Sequence, residues 1–302
     1  MTVRRRKRAQ PRFGPAQGPI VVGGVGGSGT RLVAEVMRRL GIYTGSDLND
    51  FGDNLWFTLL CKLPGWDISE DSTDTGPILE SLAVLERAMT GTLVPDGIDK
   101  RTIALAIARA DERARGSRLA DDNQLPWLER RGATLRRSRR HVPDGAPLWG
   151  WKEPNSHLFL PQLQAHFGDR LRYVHVIRNG LYMAHSQNQH QVRRWGPTFG
   201  LADTDSPAAS LDYWILANEL ALARGRAMPE GSFLLLNHDE FCSSPRQGVA
   251  RLVDFIGLEP SGPLLAELAS LPRPPSDSTV SMTQLLDDFG PERLARVRAL
   301  GF

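Results

Sequence analysis

The chain has 302 residues, 41% of them hydrophobic and 24% charged, enough for one large α/β domain or two small ones. Its net charge of +3 is concentrated in residues 1–18, which hold Arg4, Arg5, Arg6, Lys7, Arg8 and Arg12 and no acidic residue; the remainder carries 31 basic against 34 acidic side chains, which excludes a folded body that binds polyanions generally. Two distant cysteines, Cys61 and Cys242, exclude a disulfide framework and a cysteine zinc site, and no apolar run approaches the roughly 18 residues of a membrane helix.

In chain order, residues 1–18 predict a disordered basic tail. The N-terminus lacks the apolar core of a signal peptide, so a cytoplasmic location is expected. Residues 19–302 predict a single α/β domain. Ile20-Val-Val22 reads as a short buried strand. Gly23, Gly24, Gly26 and Gly27 then break regular structure and let the backbone bend tightly. From Thr30 a helix begins, with Leu32, Val33, Val36, Met37 and Leu40 on its apolar face. A loop rich in carboxylates and amides follows (Asp47, Asn49, Asp50, Asp53, Asn54), and Leu55 to Lys62 resumes a helical pattern. Residues 62–147 predict a helical insertion over one end of the sheet. Its basic run, Arg130 to His141, reads as a solvated helix face or a patch for an anionic acceptor.

Leu148 to Pro154 is the second strand-like unit, and Leu158 to Phe167 a helix. Tyr173 to Ile177 is the clearest buried strand, with Arg178 at its carboxyl end and a helix expected over Leu181 to Gln189. A long helix spans Leu211 to Arg224. Ser232 to Cys242 supplies another strand, and helices follow over Gly248 to Gly257 and at Gly290 to Gly301. Strands alternating with helices imply a mostly parallel central sheet with helices on both faces.

Strand, glycine-rich loop and helix N-terminus together form a site for phosphate or another tetrahedral oxyanion. The triphosphatase loop is excluded because Gly29 stands where a lysine should precede Thr30, and the dinucleotide fingerprint because no acidic residue closes a second strand. A magnesium-dependent kinase usually holds its metal with an acidic residue at a strand end. Here the strongest strand ends in Arg178, and Ser186 follows eight residues later. A guanidinium and a hydroxyl suit a phosphate grip.

Three blocks resemble the sulfotransferases that use 3′-phosphoadenosine 5′-phosphosulfate (PAPS). Gly24-Val-Gly-Gly-Ser-Gly-Thr-Arg31 is similar to their 5′-phosphosulfate loop. Val174-His-Val-Ile-Arg-Asn-Gly-Leu-Tyr-Met-Ala-His-Ser186 is similar to their 3′-phosphate block. Phe233 to Pro245 with Leu252 to Leu258 resembles their C-terminal strand and helix, and Trp151-Lys-Glu-Pro154 has a counterpart in bacterial relatives. The resemblance covers roughly residues 19–60 and 148–302. It implies a nucleotide-binding fold of P-loop type, with PAPS as co-substrate held by Gly26, Gly27, Ser28, Gly29, Thr30, Arg31, Arg178 and Ser186, and no metal.

The sequence departs from the family at Gly27, where many members carry a cation. The resemblance implies Arg31 and Lys152 as substitutes that stabilise the departing oxygen. It implies Asp47 as the base for an acceptor hydroxyl, with Asp50, Asp53 and Glu153 as rivals. Trp214 or Tyr213 would stack on adenine, or pack in the core; His175 reads as a core histidine, and Gln187, Asn188 and Gln189 as cleft residues or exposed ones. The acceptor (glycan, lipid-linked or small-molecule alcohol) stays open, no nucleic-acid partner is expected, and two alternatives stand beside this reading: a P-loop kinase for a nucleotide or small molecule, and a non-catalytic nucleotide- or glycan-binding member.

Overall fold

The computed structural model describes residues 10–11, 18–69, 72–115, 124–143, 148–186, 189–202, 204–273 and 282–302. A two-residue strand β1 (Gln10–Pro11) precedes β2 (Ile20–Gly24) and α1 (Thr30–Arg39); α2 (Leu55–Phe57) runs into a π-helical turn over Thr58–Lys62. The insertion consists of α3 (Gly76–Met89), α4 (Gly97–Arg115) and α5 (Gln124–Arg136). Then come β3 (Gly150–Lys152), α6 (Leu160–Phe167), β4 (Arg172–Ile177), α7 (Gly180–Ala184), α8 (His190–Trp195) and α9 (Pro207–Arg226). β5 (Phe233–Asn237), α10 (His238–Ser243), α11 (Pro245–Ile256), β6 (Leu258–Glu259), α12 (Gly262–Ala269) and α13 (Met282–Ala299) complete the chain.

Four strands form a parallel sheet in the order β3-β2-β4-β5. The path from β2 leads outward to β3, whereas the path from β4 leads the opposite way to β5. The sheet therefore reverses between β2 and β4, and such a reversal opens a ligand crevice beyond the carboxyl ends of the two strands. Both strands are buried along nearly their whole length, as central strands of a covered sheet must be.

Side chains alternate across this sheet. Ile20, Val22, Val174, Val176, Leu234 and Leu236 face Val33, Val36 and Met37 of α1 and Val249, Leu252 and Val253 of α11. Val21, Trp151, Tyr173 and Ile177 face the opposite way, into a larger cluster with Trp56, Phe57, Phe159, Leu163 and Trp214. Helices thus cover both faces, as expected. Ile78, Leu82, Leu85, Ile103, Leu128 and Leu135 of the insertion belong to that same larger cluster, so the insertion adds to the existing core. Each fully covered aliphatic side chain there contributes about 1.5–3 kcal/mol.

Three local features differ from the sequence reading. The helix after β4 stops at Ala184, because Gln189 donates through Nε2 to the carbonyls of Ala184 (3.1 Å) and Ser186 (2.6 Å) and satisfies that end of the chain. Ser186 therefore lies in the turn that follows the helix. The segment after Asn54 widens into a π-helical turn after one turn of α-helix. Within the basic tail, Gln10–Pro11 pairs antiparallel with Leu258–Glu259, while residues 1–9 and 12–17 lie outside the described residues. No helix among those described is long and apolar enough to cross a membrane.

Candidate active site

The glycine loop leaves β2 at Gly24 and enters α1 at Thr30. Gly27 and Gly29 hold φ near +95° and +92°, the left-handed region that glycine adopts without strain. A Cβ on Gly29 would also run into the His238 imidazole, while beside Gly27 the nearest atom is Met183 Cε at 3.4 Å. The Gly27 position is thus open in space but set in a backbone conformation suited to glycine. The N–H groups of Gly26, Gly27 and Gly29 make no hydrogen bond among the described residues. The Ser28 hydroxyl is buried without a partner among the described residues. α1 has no acidic residue in its first turn and carries Arg38 and Arg39 in its last. Unsatisfied donors and the positive end of the helix dipole therefore converge on the loop.

The second group comes from β4. Its register pairs Gly24 with Val176, so Arg178, two residues further, leaves the sheet beside the start of the glycine loop. Arg178 is half-buried, its Nε 3.9 Å from Asp239 Oδ1. Asp239 also accepts from the Asn179 amide at 3.0 Å and lies 3.7 Å from His238 Nδ1. Burial pushes the Asp239 carboxyl up, but the His238 and Asn179 hydrogen bonds and the Arg178 charge outweigh it and hold it below the usual value. Asp239 stays charged and orients the guanidinium. One cluster thus links glycine loop, β4 and β5.

Lys152 ends β3, opposite Val22. It is 3% exposed, with Nζ donating to the Phe51 carbonyl at 3.1 Å and forming an ion pair with Asp53. Asp53 accepts a further bond from Asn49 Nδ2 at 2.8 Å. The Arg31 guanidinium lies 4.6 Å over the Phe51 ring. Arg31, Lys152 and Asp53 are thereby joined through one short loop at the edge of the crevice.

Of the other three carboxylates, Asp50 is exposed on the loop, and Asp47 and Glu153 are engaged elsewhere. Asp47, first choice as base, is 8% exposed; Arg131 of the insertion donates to its Oδ1 at 2.8 Å and Thr134 bonds its Oδ2. Glu153 is 1% exposed, enclosed by the Lys62 ammonium and the Thr58 hydroxyl of the π-helical turn. Burial raises its pKa, and the Lys62 charge only partly opposes this. Lys152 is the last residue of β3 and Glu153 the first beyond it, and the two side chains meet different partners, Asp53 and Lys62.

Trp214 does not reach the crevice: it is 1% exposed, against Gly180 and the Phe302 ring. Tyr213 is equally covered, its hydroxyl donating to Asn155 Oδ1 at 2.9 Å. His175 is a core residue bonded to Asn218 at 2.9 Å, and burial lowers its pKa to about 4. Ser186 is exposed and its amide donates to Met183 at 3.0 Å. Gln187 and Asn188 lie outside the described residues. The sequence reading missed His238 over Gly29, and also Gln191, which lies against Gly26 and bonds Asn155. Asn155, with φ at +71°, carried a local signal, since asparagine tolerates that region and here follows a proline.

Among curated proteins, a segment of 158 residues is 31% identical to an alanine–tRNA ligase of Sphingopyxis alaskensis, covering 46% of this chain and 18% of the ligase. Among solved structures, sulfotransferase STF9 of Mycobacterium avium is similar at 15% identity and a TM-score of 0.49, over 95% of this chain and 76% of that one. The sulfotransferase domain of a Synechococcus PCC 7002 olefin synthase is similar at 14% identity and a TM-score of 0.44, over 98% and 99%. The sequence profile of the sulfotransferase family matches residues 19–261, most of the described fold and every element of the crevice, and the chain belongs to that family.

Proposed function

We propose that this protein moves a sulfuryl group from PAPS to an acceptor hydroxyl by in-line displacement, with positive charge supplied by its own side chains. The observation that carries this reading is the register of Gly24 with Val176, which brings the start of the glycine loop beside the strand that ends at Arg178 and so supports two anion grips on either side of the sheet's reversal point. The residues present fit such a donor: the unbonded N–H groups of the loop and the partnerless Ser28 hydroxyl are built to accept an oxyanion. When bound, PAPS supplies the sulfuryl group.

The work of the chain divides as follows. Gly26 to Arg31 hold the 5′ end through backbone donors, and Arg178 with Ser186 holds the 3′-phosphate. Lys152 and Arg31 offset the charge that builds on the departing oxygen. Asp53 takes the acceptor proton, in preference to Asp47, because it alone of the candidate carboxylates contacts Lys152. Withdrawal of Lys152 toward the donor would free Asp53 to act as base.

The test is label transfer from PAPS carrying a radioactive sulfuryl group to a panel of phenols, sugars and aliphatic alcohols. Labelled product without added magnesium is the expected result. Magnesium-dependent phosphoryl transfer from ATP, with no sulfuryl transfer, would identify a kinase instead.

A further inference from the structure

On the face of the sheet that carries Trp151 and Tyr173, a cavity of about 510 Å³ opens between the π-helical turn, residues 65–69, the end of α4, α8 and α9. That volume suits a small organic molecule. Trp66, Phe159, Trp195 and Phe199 supply flat apolar wall. Trp195 is buried, yet its indole N–H finds no acceptor among the described residues.

The charge of the wall is uneven. Lys62 is neutralised by Glu153, and Arg224 donates to the carbonyls of His157 and Leu158 at 3.2 and 3.0 Å. Asp67, the acid on the rim, accepts from the amide and hydroxyl of Ser69 at 3.0 and 2.6 Å. Arg113, in the wall, has no carboxylate within ion-pair distance among the described residues, and neither has Arg194, which lies outside the lining and exposed, its guanidinium 5.4 Å over the Trp195 ring. Arg194 donates to the Lys62 carbonyl at 3.2 Å; desolvation and then the Arg113 charge lower its pKa, and the Glu153 charge opposes them. Two like charges meet here, opposed only in part by the Glu153 carboxylate that Lys62 already neutralises.

The cavity also lies close to the glycine loop. Gln191 and Trp195 are four residues apart in α8 and share one side of it. Gln191 rests against Gly26 and Trp195 forms cavity wall, so about one helical turn, roughly 5 Å, separates the two places along α8.

We infer that this cavity receives an acceptor that joins a negatively charged group to an aromatic body, the charge set against Arg113 of the wall with Arg194 close by, and the ring among Trp66, Trp195 and Phe199. This rests on the sulfotransfer reading for the word acceptor; the binding itself is measured without donor. Calorimetric titration compares hydroxynaphthoate with uncharged naphthol. Hydroxynaphthoate should bind at least about 10-fold more tightly, and both Arg113→Ala and Arg194→Ala should reduce that preference while naphthol affinity changes little. Equal affinities for the two probes, or an undiminished preference in both variants, would overturn the inference. The nucleotide 3′-phosphoadenosine 5′-phosphate is titrated separately, so failure of the donor assignment appears there and failure of the cavity's charge selection appears in the naphthoate pair.

Discussion

The crevice at the sheet's reversal point and the wall supplied by the insertion are built on different terms. At the crevice, Arg178 and Lys152 stand at strand ends and their positions follow from backbone register: Gly24 beside Val176, Lys152 beside Val22. On the insertion side, charged groups are placed by contacts between distant segments, such as Arg131 with Asp47 and Lys62 with Glu153. Strand register tolerates little change without moving a whole row of side chains. Helix-borne contacts can be exchanged one at a time. On the proposed reading, the first region would hold the donor and the second the acceptor.

The largest expected effect separates the two regions as sources of the base. Asp53→Asn should lower kcat about 10²–10⁴-fold, whereas Asp47→Asn should act chiefly on stability, since its carboxylate is held by Arg131 and Thr134. Steady-state sulfuryl transfer by both variants reads this out, and the reverse pattern would assign the base to the insertion side.

Next in size is the buried pair. Lys62→Ala leaves the Glu153 carboxylate covered and uncompensated, a loss of about 3–5 kcal/mol in urea unfolding. The pH dependence follows from the raised pKa of Glu153, caused first by burial. The folded chain holds that proton more tightly than the unfolded chain does. Its contribution to stability is therefore complete below the unfolded value near 4.5 and is lost as pH rises through the higher folded value. Glu153→Gln should flatten that part of the stability profile.

The smallest effect marks the contrast with surface charge. Arg39 and Glu267 meet at 2.5 Å between α1 and α12, with side chains 32% and 40% exposed. Arg39→Ala should change unfolding free energy by no more than about 1 kcal/mol. A larger loss would mean that this rim, too, is held by specific pairs.

The same contrast explains what the sequence made legible. The loop from Gly23 to Thr30, the strand before Arg178 and the Lys152 step are local patterns, read from glycine clustering, β-branched runs and a proline stop. His238 over Gly29 joins positions far apart in the chain and leaves no periodic trace. Asp47 and Arg131 are 84 residues apart, so nothing local announced that the aspartate was already engaged. Trp214 was undecided for another reason: a helical aromatic has the same spacing whether it faces a ligand or, as here, Gly180 and Phe302. Ser186 moved out of the helix because the side chain of Gln189 caps the chain there, a bond that pattern alone does not encode.

The central claim is that the glycine loop and Arg178 grip opposite ends of one doubly phosphorylated nucleotide. Calorimetric titration with 3′-phosphoadenosine 5′-phosphate tests it directly. The account predicts one site in the unmutated protein and affinity about 10–100-fold weaker in Arg178→Ala, the loss of one charge-assisted phosphate contact. Absence of binding in the unmutated protein, or unchanged affinity in Arg178→Ala, would contradict it.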